Sequence, residues 1–292
     1  MTTTTSTVRP YAESDFEGVV DLLQRAERIP GQPDVTSSML RDALAGTSPI
    51  DGGWWAELAH LETLVVPADG GRIAGAVSVG TSKTDGAGYI LWLAADSQVI
   101  VDELLAGGLG ALSGTSTQRA FSFATALGDG LEALPVTRRR HVHDALLRLG
   151  FRGEDLWVYM RRDLTGSLDP RLIRFDEAAG LIVDQVQAPQ SWKISAAGGA
   201  DEGTVEITLL PSGTGMLDWL HVDEPQRGRG LGRTLLVAGL RQLASAGARQ
   251  VILYVDHDAP GTDRDRTAAL GLYTAMGFDT VDHLYSYERT GA

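Results

Sequence analysis

The chain of 292 residues contains no cysteine. This absence excludes a disulfide framework, cysteine-ligated metal sites and a thiol nucleophile. It also fits a reducing compartment, so a cytoplasmic location is expected. Long apolar runs are missing too, and none reaches the roughly 20 residues of a membrane-spanning helix. The opening MTTTTSTVRP lacks the apolar centre of a signal peptide and reads as a frayed polar tail. Positive charge is scarce: 25 Lys and Arg face 38 Asp and Glu, giving a formal net charge of −13. An acidic surface repels phosphate backbones, so nucleic acid is not an expected partner, and neither is a membrane. The six histidines fall into no metal-ligand spacing, so no metal is expected.

What is present is enough apolar material for two cores, 43% of the residues, in a length that allows two ordinary domains. In the first half, Val8 to Pro10 read as a short strand. A helix capped by Ser14 or Asp15 follows, with Phe16, Val19, Val20, Leu22 and Leu23 as its stripe. A second helix covers Ser37 to Leu44. ETLVVPADGGRIAGAVSVG reads as a hairpin around Asp-Gly-Gly, and GYILWLAA as a third strand. A helix begins near Ser97, RAFSFATAL is a strand, HVHDALLRLGF a short helix, and LWVYMRR a closing strand. DLTGSLDP, residues 163–170, has the composition of a linker.

The second half repeats this order in shorter form. SWKISAA and GTVEITLL pair, GMLDWLHV is the next strand, and a leucine-rich helix runs to about Ala246. QVILYVDHD is a buried strand, TAALGLYTAMGF a helix, and LYSYER closes the chain. RLGF and AMGF occupy matching places, the mark of a weak internal duplication. The expected fold is α/β (α+β, mixed sheet) in two tandem domains, residues 1–162 and 171–292.

PQRGRGLGRTLL joins these patterns to chemistry. Free N–H groups at a helix start, with the positive end of the helix dipole, favour an anion. Gly228, Gly230 and Gly232 let the backbone approach it closely, and Arg227, Arg229 and Arg233 add charge. A phosphate or pyrophosphate suits this chemistry. GRGLGRT has neither the Gly-Lys-Ser/Thr ending of a P-loop nor the G-x-G-x-x-G of a dinucleotide fingerprint.

With its strand before, its helix after and ALGLYTAMGF downstream, this segment resembles the GCN5-related N-acetyltransferase (GNAT) superfamily. Arg227, Gly230 and Gly232 match that family's R/Q-x-x-G-x-G/A loop, and the likeness spans residues 216 to 287. The two-domain organisation is similar to the mycothiol synthase type of actinobacterial tandem acetyltransferase. The resemblance implies acetyl-CoA as cosubstrate. Its pyrophosphate would lie on the loop formed by Arg227, Gly228, Arg229, Gly230, Leu231, Gly232 and Arg233. Its acetyl and pantetheine groups would meet the strand-end amides of Leu220, His221 and Val222. It places the acid for the leaving thiolate at Tyr273, four residues before Gly277, and a base acting through water at Asp218. His221 and Glu206 are alternative bases.

Three departures qualify the resemblance. Arg266 stands where the family carries an asparagine; it would reach a phosphate or pair with Asp263 or Asp265. The first half has no such loop after GYILWLAA and has Leu146 at the tyrosine position, so a catalytically silent domain is expected. Between Asp169 and Ser191 at most one short helix fits, too little to wall an acceptor site. The wall is then expected from the first domain or from a second copy in a homodimer. Two main readings follow: an N-acetyltransferase acting on a small-molecule primary amine, or a CoA-binding pseudoenzyme that senses acyl-CoA or scaffolds a partner. A longer acyl donor fits the same residues. Asp256, Asp258, Asp263 and Asp265 would attract a cationic acceptor.

Overall fold

The computed structural model describes residues 8–48, 51–128, 131–165, 180–186, 190–196, 199–256 and 266–290. The chain divides into two compact units. One comprises Met1–Leu156 with Asp282–Ala292, the other Trp157–Val281.

In the first unit, β1 (Arg9–Pro10), β2 (Leu58–Pro67), β3 (Ile73–Ser82) and β4 (Gly88–Ala95) form an antiparallel series. The β2–β3 hairpin turns at Asp69–Gly71, where Gly70 and Gly71 adopt φ of 75° and 78°. β4 then pairs in parallel with β5 (Thr117–Ala120) over only Gly88↔Gln118 to Ile90↔Ala120. β5 is shorter than its apolar run predicts, because Phe121 turns the chain at a φ of 55°. Helix α1 (Phe16–Arg25) buries Phe16, Val19, Val20, Leu22 and Leu23. Asp15 stands at its N-cap position without capping; its carboxylate accepts hydrogen bonds from Arg9 (2.7 Å) and the Ala12 amide (2.8 Å). Helices α2 (Ser37–Ala45), α3 (Gly52–Ala56), α4 (Gln98–Ala111) and α5 (Arg140–Arg148) complete the layers, with a two-residue strand β6 (Leu134–Pro135) before α5. The sequence reading did not foresee α3.

The second unit is built on β8 (Ile182–Gln185), β9 (Ser191–Ala196), β10 (Gly199–Leu209), β11 (Thr214–Val222) and β12 (Gln250–Asp256). The first four are antiparallel neighbours, and β11 and β12 are parallel. Helix α6 (Leu231–Ser245) buries Leu235, Leu236, Leu240 and Leu243 at no more than 1% exposure, about 2 kcal/mol each relative to leaving them in water. Helix α7 (Thr267–Ala275) carries Tyr273. Most of the short segment before Ser191 lies outside the described residues, and β8 is the part that is described.

The two closing strands do not stay with their own halves. β7 (Arg152–Asp163) sends Trp157–Asp163 antiparallel to β12, with Tyr159 opposite Tyr254. β13 (Asp279–Thr290) sends Tyr287–Thr290 antiparallel to β5. The compact units change inside β7 at Leu156/Trp157, upstream of the linker-like segment 163–170, most of which lies outside the described residues. Each incoming strand brings an arginine to a helix end. Arg162 donates to the Met276 carbonyl after α7, and Arg289 donates to the Leu149 carbonyl after α5 (2.7 Å). A cation there satisfies an orphan carbonyl and meets the negative end of the helix dipole. Met276 and Leu149 hold equivalent places in AMGF and RLGF, so the duplication extends to the capping contact.

Candidate active site

β11 and β12 share four register positions, Thr214↔Gln250 to Leu217↔Leu253. Beyond them β11 runs on to Val222 and β12 to Asp256 without pairing to each other, so the β12-facing edge of β11 lacks a strand partner from Asp218 onward. Its other edge stays paired with β10 through Val222↔Gly203. A bulge sits where the strands part. Glu206 faces Trp219 and Ile207 faces Leu217, leaving Asp218 as the extra residue. The bulge also breaks the strand's alternation of faces. Leu217 is buried, whereas Trp219 is 55% exposed and takes no part in the core. Leu220 and Val222 pack partly against the apolar core, and His221 lies opposite Thr204.

The glycine loop follows directly. Gly228 and Gly230 have φ of 73° and 89°, and a Cβ at either would meet no atom within 4 Å. Gly230 is the N-cap of α6 and offers no side chain. Among the described residues, the amides of Gly228 to Arg233 have no backbone acceptor. Such a row of donors at a helix start is what an oxyanion of coenzyme A requires, so this chain's residues fit the cosubstrate that the resemblance implies. The arginines divide their roles. Arg227 donates to the Val222 carbonyl (3.0 Å), tying loop to strand end, and Arg229 donates to Gln226 (3.4 Å). A Cβ on Gly232 would lie 3.4 Å from Val222 and 3.6 Å from Leu272, so strand end, loop and α7 converge there.

Tyr273 belongs to the core around α6 and α7, with its ring edge-on to Phe278 at 5.9 Å. Burial raises its hydroxyl pKa to about 12, with Arg266 acting in the opposite sense. The hydroxyl therefore keeps its proton at neutral pH. Arg266 forms its ion pair with Asp256, at 2.8 and 3.1 Å to one carboxylate oxygen. The other proposed partners, Asp263 and Asp265, lie outside the described residues, as does Asp258.

Asp218 accepts a hydrogen bond from Thr208 Oγ1 at 2.7 Å, and Thr208 in turn meets Ser191 Oγ at 2.9 Å. Asp218 keeps contact with solvent, yet desolvation raises its carboxyl pKa to about 6. The Thr208 bond opposes this rise and nearby Glu206 adds to it. Glu206 itself pairs with Lys193 at 3.1 Å. Thr208 was not legible as a site residue: the contact depends on which side of the bulge each strand position falls. Among the described residues no group of three His, Asp or Glu could hold a metal ion, and no helix is long and apolar enough to cross a membrane.

Comparison with known proteins bears on these features. The model of the Acetyltransferase (GNAT) family matches residues 195–278. The mycothiol acetyltransferase of Amycolatopsis mediterranei is 53% identical over 68 residues, 23% of this chain and 20% of that relative. Its counterpart in Saccharopolyspora erythraea is 44% identical over 74 residues, 25% of this chain and 22% of that relative. The matches thus span about a fifth of the curated relatives' length. Among solved structures, a tandem GNAT protein from the clavulanic acid biosynthesis pathway aligns over 98% of both chains, with a TM-score of 0.64 and 16% identity. A GCN5-related N-acetyltransferase from Sphaerobacter thermophilus aligns over 97% of this chain and 95% of its own, with a TM-score of 0.62 and 14% identity. Residues 195–278 thus match the GNAT acetyltransferase family model, in a chain whose fold is that of the tandem GNAT proteins.

Proposed function

We propose that the chain is an acetyl-CoA-dependent N-acetyltransferase that acylates a primary amine of a small molecule by direct transfer in a ternary complex, with the chemistry in its carboxy-terminal unit. The observation that carries this reading is the unpaired edge of β11 running straight into a loop of free amides. Acetyl-CoA supplies the activated thioester. The Gly228–Arg233 amides hold its pyrophosphate, and the amides of Leu220 to Val222 polarise the acetyl carbonyl. Asp218, ionised above pH 6, accepts the proton of the incoming ammonium through water, leaving a neutral amine to form the C–N bond. Tyr273 donates its proton to the sulfur as the C–S bond breaks, and the proton shed by the new amide nitrogen returns to the Tyr273 oxygen.

The pseudoenzyme reading draws support from Arg266, which is tied to Asp256 at the place where the family has an asparagine. Turnover separates the two. CoA release from acetyl-CoA is measured against a panel of polyamines, aminoglycosides, amino acids and the amine precursor of mycothiol, the last chosen because relatives are mycothiol acetyltransferases. Amine-dependent release that drops about a hundredfold in Tyr273→Phe, with acetyl-CoA binding retained, is expected. Tight acetyl-CoA binding without turnover on any amine would favour the sensor.

A further inference from the structure

The amino-terminal unit has a cavity of its own, about 480 Å³, at the point where β4 leaves β5. Leu91 to Gln98 form one wall and the end of α1 with the following turn forms another. Its polar lining is uneven. Trp92 is only 5% exposed, yet its indole N–H has no partner. Three more lining residues hold buried atoms without partners: Nε of Arg28, Nε of Arg138 and both amide atoms of Gln32. Four of these five atoms are donors, and the only acceptor is Gln32 Oε1. Buried donors without partners are costly, and native proteins keep them where something else completes them.

Charge points the same way. Arg25, Arg28, Arg138 and Arg139 line the cavity with only Glu27 and Asp96. Arg25 pairs with Asp96 at 3.0 Å and Arg138 with Glu27 at 3.1 Å. Arg28 has only Asp34, 3.8 Å away and 98% exposed, and Arg139 donates to the Leu93 carbonyl. Burial lowers the pKa of both, that of Arg139 to about 10, as expected for guanidinium groups short of counter-charge. In a chain of net charge −13 this is a local cationic pocket. The remaining walls are apolar, with Leu22, Ile29 and Phe123 among them.

We propose that this cavity binds a small organic carboxylate with an apolar body, its carboxylate meeting the Arg28, Gln32 and Trp92 donors and its body lying on the apolar walls. The absence of a glycine loop between β4 and α4 argues against a nucleotide thioester there, since α4 starts at Gln98, three residues after β4 ends. The proposal stands apart from the acetyltransferase reading.

Trp92 provides the test. Full-length protein labelled with ¹⁵N in its tryptophans is titrated with octanoate, octanol and octylammonium, and the Trp92 indole resonance is assigned through Trp92→Phe. A saturable shift with octanoate alone is expected, with exposed Trp219 unmoved. Arg28→Gln should weaken octanoate binding about tenfold, the loss of one charge-assisted hydrogen bond. Gln32→Leu serves as a second variant if Arg28→Gln melts early. An unmoved Trp92 resonance, equal shifts from all three compounds, or a shift by acetyl-CoA at lower concentration than octanoate would each overturn the proposal.

Discussion

At the scale of single residues, two hydroxyl-bearing side chains bear on the proton chemistry proposed for the carboxy-terminal unit. Tyr273 is held protonated by burial, and Thr208 holds down the pKa of Asp218. If Asp218 is the base, the rate should fall as pH drops through about 6, because only the carboxylate accepts a proton. Thr208→Val removes a bond that favours the charged form, so the pKa rises and the acid limb of the pH–rate profile moves to higher pH. Activity at pH 6 should then fall more than activity at pH 8. Asp218→Asn should lower the rate and abolish that limb. A wild-type limb unchanged in Asp218→Asn would assign the base to another group. The sequence marked Asp218 and Tyr273 through the family motif. Thr208 escaped it because a strand threonine has no local signature, and only the bulge brings its hydroxyl to the carboxylate.

At the scale of elements, the loop and the diverging strands form one device. Gly230 closes it, with a φ of 89° at the N-cap of α6 and open space around its Cβ position. The cost of a side chain is therefore conformational. Gly230→Ala should destabilise the fold by about 1–2 kcal/mol, the penalty of a left-handed L-residue. Acetyl-CoA affinity should fall with it, as read by thermal melting and calorimetry. A melt equal to wild type would show that the loop relaxes freely. The glycines and the strand–loop–helix order were legible because local backbone chemistry demands them. The inward turn of Arg227 to the Val222 carbonyl was not, since an arginine's direction depends on the acceptors that the fold leaves unpaired.

At the scale of the whole molecule, the exchange of closing strands decides how the chain can be divided. A fragment starting at residue 171 lacks Trp157–Asp163. It then loses Val158 and Met160 from its core and Arg162 from the end of the Tyr273 helix. It also leaves β12, whose Val251, Ile252 and Leu253 are fully buried, as a bare edge prone to aggregation. Residues 157–281 should melt cooperatively, whereas residues 171–281 should not. Equal melts would show that the strand adds little. Inactivity of the shorter fragment would accordingly say nothing about where the acceptor binds.

The sequence by itself determined most of the strands and helices of both halves, their repeated order, and the anion-ready loop with its tyrosine downstream. These depend on periodicity, glycine and spacing, which act within a few turns of chain. Tertiary structure alone decided that β7 and β13 change units, that Asp218 is the bulged residue beside Thr208, and that residues carrying four unpartnered donors line one amino-terminal cavity. The reason is common to all three. A strand's pattern specifies which of its faces is apolar, and it leaves open which edge the strand will pair with. Where pairing stops, the stranded polar groups take partners far away in the sequence.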